Sequence, residues 1–169
     1  YEYYLRVIFN NNDDSKKNLW LSNIAIHPIS EQALDNRPDG SSKNKYRFLK
    51  ISANVKKYDA VDLQEIGIIV RVCDRNLTYW EYASVPGEFK QLLIKTDDDW
   101  QKRSVDLEDK NSWQKFKSDG NRENPSTEPD FSVISCVVLV LGGYNNRGYI
   151  PTPGNGTIDI HEISLSKNP

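Results

Sequence analysis

A period of two is the strongest constraint in this chain. Apolar and polar residues alternate in short runs, each closed by turn formers, and no helical period extends beyond about two turns. In YEYYLRVIF (1–9), Tyr3, Leu5, Val7 and Phe9 share one face, and Tyr4, Arg6 and Ile8 the other. LWLSNIAIH (19–27) reads as a second strand stopped by Pro28. The stretch to Asn44, with Arg37-Pro38-Asp39-Gly40, reads as a long loop, with room for one short helix near 31–34. In 46–55, Leu49, Ile51, Ala53 and Val55 align; in 66–72, Ile66, Ile68, Val70 and Val72 do. A turn at 74–78 leads to the strand Tyr79-Trp80-Glu81-Tyr82, and 91–95 and 100–107 flank an acidic turn. Residues 111–117 are expected to form a short helical turn, and 119–130, with Pro125 and Pro129, a loop.

Two further stretches refine the architecture. Val133 to Leu141 is apolar on both faces, so it predicts a central strand covered on both sides. Gly142 to Gly156 reads as a loop. In 158–165, Ile158 and Ile160 fall out of phase with Ile163 and Leu165, and one extra residue near His161-Glu162, a β-bulge, restores the phase. About nine or ten short strands with turns between them predict an all-β sandwich. The 169 residues suit a single domain spanning 1–169. With no methionine, even at residue 1, the chain is expected to be a module excised from a longer protein. Any targeting segment would then lie outside these residues.

A net charge of −2 offers no basic field for a nucleic-acid backbone. No apolar run approaches the roughly 20 residues of a membrane span. His27 and His161 lie in no metal-spacing motif, and no nucleotide-binding, zinc-protease or nucleophile-elbow signature occurs. No positive feature supports an enzyme. The alternating oxygens of Asp119, Asn121 and Glu123, and of Asp97 and Asp99, make a structural calcium possible, without a complete binding loop. No other cofactor is expected. Cys73 and Cys136 both fall in predicted strands, as buried free thiols or as a disulfide. Nine Tyr, four Trp and abundant amides suit sugars, by stacking and by bridging hydroxyls, and equally suit a β-protein surface.

YWEY, DWQKRSVDL, SWQKF, DFSVISCVVLVLGG and GTIDIHEISL follow one another from Ile66 to Leu165. In this order they resemble the jelly-roll carbohydrate-binding modules appended to bacterial glycoside hydrolases, most closely those with a cleft for single glucan chains. The resemblance implies a β-sandwich jelly roll of the galactose-binding-domain type. It implies non-catalytic binding of plant cell-wall polysaccharide, foremost β-glucans such as cellulose chains, mixed-linkage glucan and xyloglucan. It also implies a covalently attached catalytic domain and a secreted or cell-surface location. Two departures stand out. His161 occupies the place of the family's first acid in the last strand, leaving Asp159 as the nearest alternative metal ligand. The strand Val137 to Leu141 carries no polar group for a cleft.

The candidate carbohydrate-binding residues are Tyr79, Trp80, Tyr82, Arg71, Trp113, Tyr144 and Trp20. One face of 79–82 must fill the core: if Trp80 packs inside, Tyr79 and Glu81 meet the ligand, and if not, the roles exchange. Arg71 lies opposite Ile68 and Val70, so it either reaches a carboxylate or lines a wet cleft. Trp113 and Phe116, three apart, would share a face on a helical turn, as a platform or as a staple onto the sandwich. Tyr144, Asn145, Arg147 and Tyr149 sit in the expected loop. Trp100 is expected to pack at the core or rim. The rival functions are a protein-interaction or assembly domain of the same fold and, behind it, a jelly-roll polysaccharide lyase.

Overall fold

A computed structural model of the chain describes residues 5–10, 23–26, 34–38, 45–58, 65–82, 92–96, 99–116, 126–145, 148–151 and 155–169. Strands predominate among these residues, and all of their pairings are antiparallel. Strands β1 (Leu5–Asn10), β13 (Asn155–Ser166), β4 (Phe48–Tyr58) and β8 (Gln101–Asp106) form one sheet, in the order β1-β13-β4-β8. A larger sheet runs β12 (Gly148–Pro151), β11 (Cys136–Asn145), β5 (Glu65–Cys73), β6 (Tyr79–Tyr82) and β9 (Trp113–Lys115). There β2 (Asn23–Ile26) also pairs with β11, and β7 (Leu92–Lys95) with β5. A short pair joins β3 (Leu34–Asp35) to β10 (Val133–Ile134).

One apolar cluster joins the two sheets. Leu49, Ile51, Ala53 and Val55 of β4, with Val105, Ile158 and Ile160, belong to the smaller sheet. They pack in the same cluster as Ile66, Ile68, Val70 and Val72 of β5, Trp80, Ile94, Trp113, Val137, Leu139 and Leu141 of the larger one. The alternation read from the sequence therefore selects the buried face of each strand: burying it removes apolar area from water at about 25 cal/mol per Å2. β11 is central and apolar on both faces from Cys136 to Leu141, as expected, although Val133 and Ile134 of the expected run form β10 instead. β5 beside it is apolar inward and mixed outward. Ile69 and Val140, in register on the outer face, are also shut off from solvent.

The β-bulge is where the sequence placed it. Ile160 pairs with Ala53 and Glu162 with Ser52, so His161 is the extra residue. Ile163 and Leu165 thereby regain the inner face and pack on the core.

Three local expectations are corrected. Residues 142–145 and 148–151 are a strand pair rather than a loop, with Tyr144 in register with Tyr149. Glycines carry no apolar period, so backbone pairing here leaves no alternation to read; Gly142, at φ 142°, also takes a conformation that a Cβ disfavours. The expected helical turn shrinks to a single 3-10 turn, Lys110–Ser112, and Trp113 begins β9. The possible helix near 31–34 gives way to β3 at Leu34, with 31–33 outside the described residues.

Candidate ligand-binding face

Strand pairing builds a row of three residues across the outer face of the larger sheet. The turn at 74–78 sets Cys73 opposite Tyr79, and hence Arg71 opposite Glu81; β9 then sets Gln114 opposite Glu81. Since Val72 and Trp80 point into the core, their neighbours Arg71, Tyr79 and Glu81 point away from it. Arg71 Nε donates to Glu81 Oε2 at 2.6 Å, with the two side chains 12% and 6% exposed. The Arg71 guanidinium lies over the Phe116 ring, 3.8 Å from its centroid. Such a pair is charge-assisted and geometrically exact, but its burial costs desolvation, so it is not explained by stability alone.

Tyr79 stands beside this row, in register with Cys73, which is itself in register with Cys136. Burial is the first cause that raises the Tyr79 hydroxyl above its ordinary pKa, and the two cysteines add to it. Burial likewise pushes the Cys73 thiol up to about 11, helped by Cys136 and Asp74, and raises Cys136 against the hydrogen bond from Tyr79. All three groups are therefore protonated at neutral pH.

Trp80 is a correction to the candidate set. It is 3% exposed, inside the sandwich, and its Nε1–H donates to Asp74 Oδ2 at 2.9 Å. Trp113 is also internal, with Nε1–H donating to the Asp106 carbonyl at 2.9 Å. It meets Tyr82 edge-on at 5.5 Å and Phe131 at 4.7 Å. Tyr82 is half-buried on that same inner side and packs on the core. A sugar reaches neither indole without unpacking the sandwich. Trp113 and Phe116 do not share a face, because residues three apart on a strand point to opposite sides. Trp113 faces in and Phe116 faces out.

The other candidates distribute as follows. Tyr144 lies on β11, in the strand pair already described. Trp20 and Arg147 lie outside the described residues, as do Asp97, Asp119, Asn121 and Glu123; Asp99 is exposed. Trp100 is a rim residue, 42% exposed and edge-on to His161 at 5.6 Å. Asp159, the weak metal candidate, is instead a fully buried ion-pair partner: Arg6 donates from Nε to Oδ1 at 2.8 Å and from Nη2 to Oδ2 at 2.9 Å. One guanidinium thus pairs with both oxygens of Asp159. Among the described residues no group of three or more His, Cys, Asp or Glu could hold a metal ion.

Glu81 and Phe116, read from the sequence only as conditional contacts, are central to this face, and Asp74, read only as the start of a turn, supports it. Glu81 was legible from turn length, since a five-residue turn between the strands dictates its pairing with Arg71. Asp74 is fully buried. It accepts from the Asn76 and Thr78 amides at Oδ1 and from Trp80 Nε1 and the Asp130 amide at Oδ2. It fastens the β5–β6 turn and the 126–130 segment to the sheet end, and so holds Tyr79 and Glu81 in place. Its last partner is distant in sequence, and no local pattern announces it.

No protein-family model matches the chain, and no curated protein matches it. Among solved structures the chain is similar to that of PfGH50B, a glycoside hydrolase, with a TM-score of 0.50 and 16% identity. The match covers all of this chain (100%) and 23% of that one. This is a likeness of fold, an antiparallel β-domain, and the chain spans under a quarter of that protein.

Proposed function

We propose that the chain is a non-catalytic glycan-binding module, a jelly roll of the galactose-binding-domain type. In this reading its ligand lies on the outer face of the larger sheet, over Arg71, Glu81, Phe116 and Tyr79. The observation that carries the reading is the Arg71–Glu81 pair stacked on Phe116, on the side of the sheet away from the core. A guanidinium, a carboxylate and a phenol offer hydroxyl partners, and an aromatic ring offers a surface for pyranose C–H groups. The likeness to part of a glycoside hydrolase supports a module attached to a catalytic domain, acting at high local concentration on its polysaccharide. β-Glucans are the first ligand class to test. No cofactor is needed, and a secreted or cell-surface setting follows from such a substrate.

A protein-interaction or assembly domain of the same fold is the second reading, and one observation favours it. Trp80 and Trp113 are internal, and the exposed large apolar side chains among the described residues are Leu77, Leu93 and Trp100, which form no aromatic row.

Affinity electrophoresis against soluble polysaccharides, with reducing-end release assayed on the same samples, separates the readings. Retardation by a glucan without product is expected. Phe116→Ala should weaken it about tenfold or more, from a stacking contribution of about 1–3 kcal/mol by analogy with base stacking. A natively folded protein retarded by no glycan would move the assembly domain to first place. Product formation would overturn the non-catalytic assignment and revive the polysaccharide lyase.

A further inference from the structure

Cys73 closes β5 and Cys136 opens β11, and the strand register sets them directly opposite each other. Their neighbours Val72 and Val137 point into the core, so both thiols point to the outer face. Both are free, and they are 4% and 3% exposed. Directly opposed residues of antiparallel strands have Cα atoms about 4.5–5.5 Å apart. That interval falls within the roughly 4.4–6.8 Å that a disulfide spans. Tyr79 is in register with Cys73 on the neighbouring strand β6, so its side chain stands on the same outer face.

We propose that Cys73 and Cys136 form a cross-strand dithiol that oxidises to an intramolecular disulfide, joining the two central strands of the larger sheet beneath its outer face. The oxidant is a disulfide of the glutathione class. One cysteine, as thiolate, attacks a sulfur of that reagent, forming a mixed disulfide and releasing one thiol. The second cysteine loses its proton, attacks the protein sulfur and expels the second thiol. The protein gives up two electrons and two protons, and the reagent is reduced to two thiols. Burial keeps both thiols protonated in the folded chain, so the exchange belongs to folding or to local opening of the strand end. The bridge prevents register slip between β5 and β11, and closes a long loop in the unfolded chain. The proposal rests on register and is independent of the glycan reading.

The test is refolding of the full chain from denaturant in glutathione buffers of increasing oxidising strength, followed by acid quench, intact mass and peptide mapping. The expected native product is lighter by about 2 Da, has no thiol that alkylates under denaturing conditions, and yields one cross-linked peptide joining Cys73 to Cys136. Its denaturation midpoint should shift upward relative to the reduced protein. Cys73→Ser and Cys136→Ser should each abolish the 2 Da loss. Because the principal readout uses the unmodified chain, poor folding of either variant leaves the test intact. Native protein that keeps both thiols alkylatable in the most oxidising buffer, or that forms only glutathione adducts or disulfide-linked dimers, overturns the proposal.

Discussion

Arg71 and Glu81 show how one residue pair carries both a structural cost and a functional opportunity. Each charge is tolerable because the other lies at 2.6 Å and Phe116 covers the guanidinium. Removing one partner strands the other in a poorly solvated site. Arg71→Met is therefore expected to destabilise the fold by about 3–5 kcal/mol, while Arg71→Met with Glu81→Met should lie near the parent or above it. Urea unfolding of the two singles and the double measures this as a cycle. A single variant within about 1 kcal/mol of the parent would show that the pair is screened by water and not buried as described. If the pair meets a glycan, the double variant should also keep its stability while losing retardation.

At the scale of elements, the β-bulge and the β5–β6 turn carry the argument. The bulge at His161 keeps Ile158 and Ile160 in the core together with Ile163 and Leu165. Deleting His161 moves the last half of β13 by one residue and turns those two side chains outward. The expected result is loss of cooperative unfolding or a fall of several °C in Tm. His161→Ala should stay within about 0.5 kcal/mol, as an exposed surface change. A deletion as stable as the parent would show that β13 re-registers without penalty. In the turn, Leu77 adopts φ 59° and is 71% exposed. It is held by its amide on the Asp74 carbonyl and by the Asp74 carboxylate on either side. A left-handed conformation costs a β-carbon residue about 1–2 kcal/mol, and glycine loses about 0.5–1 kcal/mol of that gain to chain entropy. Leu77→Gly should therefore stabilise the protein by up to about 1 kcal/mol in chemical denaturation. A loss of stability would mean that the leucine makes a contact which its exposure denies.

For the whole molecule, ionisation bounds the stable pH range on both sides. Burial alone would raise the Asp106 carboxyl. The hydrogen bonds and charge of Arg47, at 2.5 Å, and the backbone amides of Glu108 and Asp109 outweigh it and hold the group below its ordinary value. A depressed folded pKa contributes stability above the unfolded value of about 4 and loses it as pH falls through the folded one. At the other end, the Cys73 thiol titrates at about 11 against an ordinary 9.0. Its contribution is complete below about pH 9 and is lost as pH rises through 11. Denaturation midpoints taken from pH 2 to 11 should thus fall at both ends. Asp106→Asn should flatten the acid limb, and Cys73→Ser with Cys136→Ser the alkaline one, measured under reducing conditions. An alkaline limb unchanged in the double variant would assign it to other groups, Tyr79 among them.

Much of the architecture was legible in the chain alone. Period-two alternation identified the β4 and β5 faces from Leu49 to Val55 and from Ile66 to Val72. The doubly apolar run at Val133 to Leu141 marked a central strand from Cys136 onward, while its first two residues pair with β3 instead, and a phase break of one residue located the bulge. These features are local: each follows from which side chains must leave water on a pleated backbone. The 142–151 strand pair was not legible, because glycines and a backbone ladder leave no side-chain pattern. Nor was the orientation of Trp80, since either face of YWEY satisfies alternation; only the partner sheet decides which face it covers. Likewise Trp113 and Phe116 share a side or oppose each other according to whether the segment coils or extends, and pairing with β6 settles that. Arg71, Glu81 and Phe116 become one group, Cys73 and Cys136 neighbours, and Asp159 the partner of Arg6 only when distant strands align. The sequence determined which residues seek burial, and the tertiary structure decided which of them meet, because contacts between strands depend on register and sheet order rather than on neighbours along the chain.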